Sequence, residues 1–280
     1  MTALPDIPRL YTALAECLAV LLFTPALAPR FSRAVTGGVT LLWAAVLSAF
    51  LGLTGDVPGG LWIPCMAAAI GFSYLYLWGM WNITLLEAGY HCARAFILAE
   101  LAASVEWQLH CALFPHRGGG DGLALLLLVV VDGVLYGTVF WLERRRPSPT
   151  GKLTVSNKAA LVAVVMAAMV FAVSNLLFLD DGEVNMSIYY IRTLVDFCGV
   201  LILTIQHDQL RESALHSELE AMDEVLHRQY EQYKRSKEGI KLINSRYHEL
   251  KIQIANIRAE RDQAKQDAAL AEMESGIRQY

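Results

Sequence analysis

The sequence predicts an all-α, polytopic membrane protein followed by a coiled-coil tail. Three observations lead to this fold class. The 280 residues are 55% hydrophobic and have a mean hydropathy of +0.39, which is too apolar for an ordinary soluble domain. Several apolar stretches reach the roughly 20 residues that a spanning helix needs. From Leu215 onward, apolar residues recur at the a and d positions of a heptad.

Charge divides the chain into two parts. Asp, Glu, Lys and Arg together number 24 in residues 1–206 and 26 in residues 207–280. An apolar body is therefore followed by a polar tail that begins at His207. No basic run suits nucleic acid, which excludes that class of partner.

Seven stretches are apolar enough, or nearly so, to span a membrane. They are Leu10–Ala28, Val35–Leu53, Leu61–Met80, Ala93–Leu113, Leu123–Trp141, Ala159–Leu179 and Met186–Ile205. The fourth is the weakest because it contains four ionisable side chains. It could instead lie at the membrane interface, which would leave six spans.

The distribution of basic residues favours seven spans. The linkers after spans 1, 3 and 5, with the residues that border them, carry Arg30 and Arg33, then His91 and Arg94, then the run "ERRRPSPTGKLTVSNK". The linkers after spans 2, 4 and 6 contain Arg117 as their sole Lys or Arg. By the positive-inside rule, the N-terminus is expected outside and the tail in the cytoplasm.

The first apolar stretch also has the small residues of a signal peptide at its end. Glu16 within it, and the membrane body that follows, favour a retained helix. The five cysteines lie in or beside apolar spans without metal-ligand spacing, so the sequence indicates neither disulfides nor a metal site.

Ionisable residues near the middle of the spans are candidate site residues. Glu100, Asp132 and Asp196 lie there, with Arg192 one turn before Asp196. Charges at this depth are costly and face a partner or a water-filled cavity. They indicate either a ligand or ion site, or pairing between helices. In the second case Arg192 forms an ion pair with Asp196 at i, i+4 and could also reach Glu100 or Asp132. A transporter stays open, although no inverted repeat or matched helix break is visible.

The tail carries a sustained heptad seam. Its a positions are Leu219, Leu226, Tyr233, Ile240, Tyr247 and Ile254, and its d positions include Leu215, Met222, Ile243, Leu250 and Ile257. Such a seam predicts self-association, most simply as a parallel homodimer. The polar d residues Gln229 and Ser236 weaken it and could allow two packings of similar energy.

His248 and Glu249 occupy solvent-facing b and c positions of that heptad. An exposed imidazole beside a carboxylate is a plausible nucleophile, although a solvated surface pair has the same pattern. After Ile257 the seam fades, and a turn near Arg258–Lys265 is expected to lead into a second helix.

Two segments carry a family resemblance: "RAFILAELAASVEWQ" in the membrane body and "YKRSKEGIKLINSRYHELKIQI" in the tail. They resemble bacterial sensor histidine kinases of the Agr-type peptide-pheromone receptor group and their Firmicutes relatives. The resemblance implies that His248 is the phosphoacceptor and Glu249 its neighbouring base, where relatives usually have Asp. Ile252 stands where relatives tend to carry a polar residue, which leaves phosphatase activity open.

The resemblance also implies a domain plan. Residues 1–206 are expected to form a transmembrane sensor, residues 207–240 a linker coiled coil, and residues 241–280 the start of a helical-hairpin dimerisation and phosphotransfer domain. Relatives continue into an ATP-binding domain, whose motifs are absent from these residues, so ATP and Mg are expected only if such a domain is supplied. A response regulator is the implied partner.

Three functions follow as hypotheses. The first is the membrane sensor part of a histidine kinase that detects a hydrophobic signal or a small peptide. The second is a non-enzymatic dimeric membrane receptor or scaffold. The third is a transporter with an accessory coiled coil.

Overall fold

The computed structural model describes residues 7–55, 61–114, 122–145, 155–176 and 186–277. Within these ranges the regular structure is helical, apart from an isolated bridge between Pro29 and Trp81. The α-helices are α1 (Arg9–Phe23), α2 (Arg33–Leu53), α3 (Trp62–Met80), α4 (Leu85–Leu113), α5 (Gly122–Arg145), α6 (Asn157–Asn175) and α7 (Met186–Ile277).

Six of these helices are long and apolar enough to cross a membrane, namely α1, α2, α3, α5, α6 and the first part of α7. The chain thus fits a multi-pass membrane protein, as the sequence predicted. The predicted sixth span extended to Leu179, which lies outside the described residues, as do Arg117 and most of the basic linker after α5.

The remaining helix, α4, lies at the centre of the bundle. It packs against α1, α3, α5 and α6. Of its 29 residues 21 are buried, whereas α5 buries four of its 24. A helix shielded from lipid by its neighbours can carry the ionisable side chains that made this stretch the weakest predicted span. At 1.5 Å per residue it is about 43 Å long, enough to cross a bilayer.

Small residues allow the close packing around α4. Ala13, Ala15 and Ala19 of α1 are at most 2% exposed, and alanines recur along the buried faces of α4. Between helices in lipid, small side chains let backbones approach and gain dispersion contacts. The outward faces of the perimeter helices expose large apolar side chains such as Leu41, Val129 and Leu161, as lipid contact requires.

The chain divides into two compact units, Met1–Leu215 and His216–Tyr280. Helix α7 contributes to both. The second unit consists of this helix alone up to Ile277 in the described residues. The turn predicted near Arg258–Lys265 is not present, because those residues are helical. No glycine or proline interrupts that stretch, so nothing in it disfavours continued helix.

Candidate functional site

Two polar contacts join α4 to α7 inside the bundle. Arg192 Nη2 donates to Glu100 Oε2 at 2.9 Å, with both side chains largely buried. Ser104 Oγ donates to Asp196 Oδ2 at 2.7 Å. Because Glu100 and Ser104 are four residues apart, as are Arg192 and Asp196, each pair lies on one face of its helix.

The arginine pairs across the helix interface. The hydrogen bond of Arg192 goes to Glu100 on α4, one of the partners considered from sequence, while Asp196 accepts from Ser104. Asp196 nevertheless lies within electrostatic range of Arg192 and Glu100. The cluster therefore places one buried cation beside two buried carboxylates at the interface of two helices, where intramembrane charges find partners.

Asp132 lies in a separate acidic pair. It is 5% exposed and close enough to the fully buried Glu106 of α4 for the two carboxylates to repel each other. None of their four carboxylate oxygens has a hydrogen-bond partner among the described residues. The described residues contain no group of three or more His, Cys, Asp or Glu suited to a metal ion.

A second polar cluster, which we call the Glu143 node, lies where α5 ends. Glu143 Oε1 accepts from Arg94 Nη2 of α4 at 2.5 Å, and Oε2 accepts from Arg211 Nη1 of α7 at 3.1 Å. His207 Nε2 lies 3.8 Å from the same oxygen, while His207 Nδ1 is 3.0 Å from the hydroxyl of Tyr90 on α4. One carboxylate thus connects three helices just before α7 enters the second unit.

Sequence reasoning did not identify this node. In sequence, Glu143 begins a basic linker, and the charge of Arg94 is one of the four that make the fourth predicted span the least apolar. The spacing of His207 and Arg211 is the one available signal, since residues four apart share a helix face. Their acceptor could not be inferred because it belongs to a distant helix.

His248 is exposed on α7 in the second unit. Its ring lies beside that of Tyr247, with 6.1 Å between the centroids. The carboxylate of Glu249 accepts from Arg246 Nη1 at 2.9 Å. Consecutive residues on a helix do not face each other, so Glu249 engages the arginine three positions before it.

The heptad seam is uncovered in the single chain. The apolar a and d residues from Leu219 to Ile257 are each between 53% and 68% exposed. This is a long run of large apolar side chains on one helix face, well above the scattered apolar residues of an ordinary surface.

Comparison with protein families, curated proteins and solved structures finds no match to this chain.

Proposed function

We propose that this chain is a membrane signal receptor of the two-component sensor histidine kinase type. A hydrophobic signal or small peptide acts on the membrane bundle, and α7 carries the response to His248. The observation that carries the proposal is the make-up of α7. One helix holds an apolar span with polar links to the bundle, an exposed heptad seam and an exposed histidine.

The polar links give a signal a route into α7. Arg192 and Asp196 connect α7 to α4 within the span, and His207 and Arg211 connect it to Tyr90 and Glu143 near its end. A shift of α4 or α5 changes these contacts together. Hydrogen bonds hold only over a narrow range of distances. A shift of α4 or α5 therefore breaks some of these bonds unless α7 moves to a second position that keeps them.

The heptad seam supports a parallel homodimer. Burying its large apolar side chains against a second copy stabilises the pair by roughly 25 cal/mol for each Å² removed from water. Two identical membrane anchors would hold the copies in one orientation. The polar d residues Gln229 and Ser236 lie between the membrane and His248, where a weaker seam allows a change of packing.

His248 is the proposed phosphoacceptor in the cytoplasm of a bacterial cell, with the N-terminus outside. Its exposure leaves the imidazole accessible to a nucleotide-binding domain and to a response regulator. The described residues supply neither ATP nor Mg chemistry, so the phosphoryl group comes from an ATP-binding domain provided in addition to them. Ile252 offers no polar group to aid dephosphorylation of a regulator.

Phosphate transfer tests this proposal directly. Membranes containing the full chain are incubated with an ATP-binding kinase domain of the same type and radiolabelled ATP. Labelling is expected in the parent protein and in His227→Ala, whose histidine is also exposed on α7. It is expected to fall to background in His248→Ala. Equal labelling of both variants would contradict the assignment of His248.

A non-enzymatic dimeric receptor is the second candidate. It is favoured by the contact of Glu249, which engages Arg246 and so is not held by His248. In this case Glu249 stabilises the helix surface and His248 is a solvated residue. Dimerisation without labelling of His248 by an active kinase domain would select this candidate.

A further inference from the structure

An apolar groove runs between α5 and α7. Its volume is about 910 Å³, and α4 forms its floor. Representative lining residues are Leu98 and Leu101 of α4, Val134 and Thr138 of α5, and Leu194 and Leu201 of α7. Glu143 lies at one end, where its bond to Arg211 brings α5 and α7 together.

The groove is elongated along the bundle. Its α5 wall runs from Val130 to Glu143, 13 residues apart, which at 1.5 Å per residue is about 20 Å. Its edges carry the exposed side chains of Val134 and Leu194, so its open side faces lipid. An elongated apolar groove of this kind suits a hydrocarbon chain that lies along the two helices.

The groove also has the length of a lipid chain. The hydrocarbon core of a bilayer is about 30 Å thick, so a chain from one leaflet extends about 15 Å. The groove of about 20 Å can therefore take such a chain along most of its length.

A basic residue lies at the Glu143 end on the groove side of α5. Arg145 is seven residues after Thr138 and 11 after Val134, and these spacings place all three on one helix face. It is exposed, and its guanidinium lies 4.0 Å from the ring centroid of Trp141. Arginine and tryptophan together at a span end are typical of the headgroup region.

We propose that this groove binds an anionic phospholipid from the leaflet at the Glu143 end. An acyl chain lies between α5 and α7, and the phosphate contacts Arg145. This binding goes beyond the proposed receptor function and requires no signal or phosphate transfer. Because Glu143 lines the groove and also accepts from Arg211, the lipid would lie directly beside the link between α5 and α7.

Photolabelling in nanodiscs tests the site without reading any signalling activity. The full chain is placed in phosphatidylcholine containing a small fraction of phosphatidylglycerol with a diazirine in its acyl chain. A parallel sample carries the diazirine on phosphatidylcholine. Leu98 and Leu101 line the groove and are only 2% and 5% exposed, so the small surface that they offer faces the groove and not the outside of the bundle. Labelling of this part of α4, at least several-fold stronger with phosphatidylglycerol, is expected.

Matched variants separate groove binding from surface contact. Val134→Trp fills the groove and is expected to reduce α4 labelling at least fivefold. Val129→Trp, at an equally exposed position outside the lining (67% for both valines), is expected to leave it unchanged. Leu194→Trp fills the groove from α7 and replaces the first variant if Val134→Trp does not fold.

The charge is tested in the same way. Arg145→Gln is expected to lower phosphatidylglycerol labelling about fivefold, since a basic residue near a membrane surface attracts anionic lipid by that factor. Arg144→Gln removes the neighbouring charge, which lies on another helix face over Phe140, and is expected to have little effect.

Absent α4 labelling, equal labelling in the two valine variants or no preference for phosphatidylglycerol would overturn the proposal. So would a photoreactive residue at position 134 that crosslinks two copies.

Discussion

Arg211 of α7 donates a hydrogen bond to Glu143 of α5 at 3.1 Å, and the second oxygen of that carboxylate accepts from Arg94 of α4. The Glu143 side chain is 22% exposed, while the two arginine side chains are at most 10% exposed. One acidic group is therefore shared by two largely buried guanidinium groups. At this end of the span, the carboxylate links α7 to α5 and α4.

Replacing that carboxylate is expected to loosen the end of the α7 span. Glu143→Gln keeps the shape but removes the negative charge that two neighbouring guanidinium groups share. We expect a loss of about 2–3 kcal/mol, below the full effect of breaking a buried pair because the site is partly exposed. Hydrogen exchange of residues 203–215 in detergent measures it. Glu212→Gln, at an exposed neighbouring position, is the control, and equal exchange in both variants would refute this role.

The Arg192–Glu100 pair is expected to show strong energetic coupling. Arg192→Gln leaves the carboxylate of Glu100 buried without its cation. Glu100→Gln removes that carboxylate from the guanidinium of Arg192. Each change is expected to cost about 3 kcal/mol, because a buried charge loses its partner. The double variant is expected to lose less than the sum of the two. Thermal unfolding in detergent measures the cycle, and additive losses would show that the pair has no mutual stabilisation.

A single glycine sets the spacing between α7 and α6. A Cβ added at Gly199 would lie 2.8 Å from Val170 Cγ1 and 3.0 Å from Ile97 Cγ2. Gly199→Ala is expected to destabilise the bundle by about 1–3 kcal/mol through overpacking. Adding Val170→Ala is expected to restore part of the loss in thermal unfolding. The control is Gly137→Ala, where an added Cβ meets no atom within 4 Å. Equal effects at the two glycines would contradict the contact.

The exposed seam is expected to control association of the tail. Ile243→Asp places a charge at a d position, where it would be buried against a second copy. Light scattering of the full chain in detergent is expected to show a dimer for the parent protein and a monomer for this variant. Ser245→Asp adds the same charge at a position outside the seam and is expected to stay dimeric. A dimer in both variants would place the interface elsewhere.

The apolar spans were predictable because length and composition report membrane burial directly. The central place of α4 was not, since its charges are compatible with either an interfacial helix or one shielded by neighbours. Similarly, the i, i+4 spacing of Arg192 and Asp196 is visible in sequence, but the bond from Arg192 to Glu100 depends on how two helices separated by about 90 residues meet.

The contacts of the Glu143 node were also not predictable from the local sequence. In sequence, Glu143 begins the basic run "ERRRPS", so arginines are its nearest charged neighbours. In the structure, Arg144 and Arg145 instead lie over the rings of Phe140 and Trp141, and Glu143 bonds to arginines of two other helices. Helix direction after folding, which the local pattern does not contain, decides which cation each side chain meets.

The central claim is that the state of the membrane bundle reaches a dimeric tail through α7. Its most direct test is the distance between spin labels at Ser245→Cys in the two copies, measured in a background without the five native cysteines. The account predicts a defined short distance that shifts or broadens when Glu143→Gln is added and stays unchanged with Glu212→Gln. An unchanged distance in Glu143→Gln, or no interaction between labels in the parent protein, would contradict it.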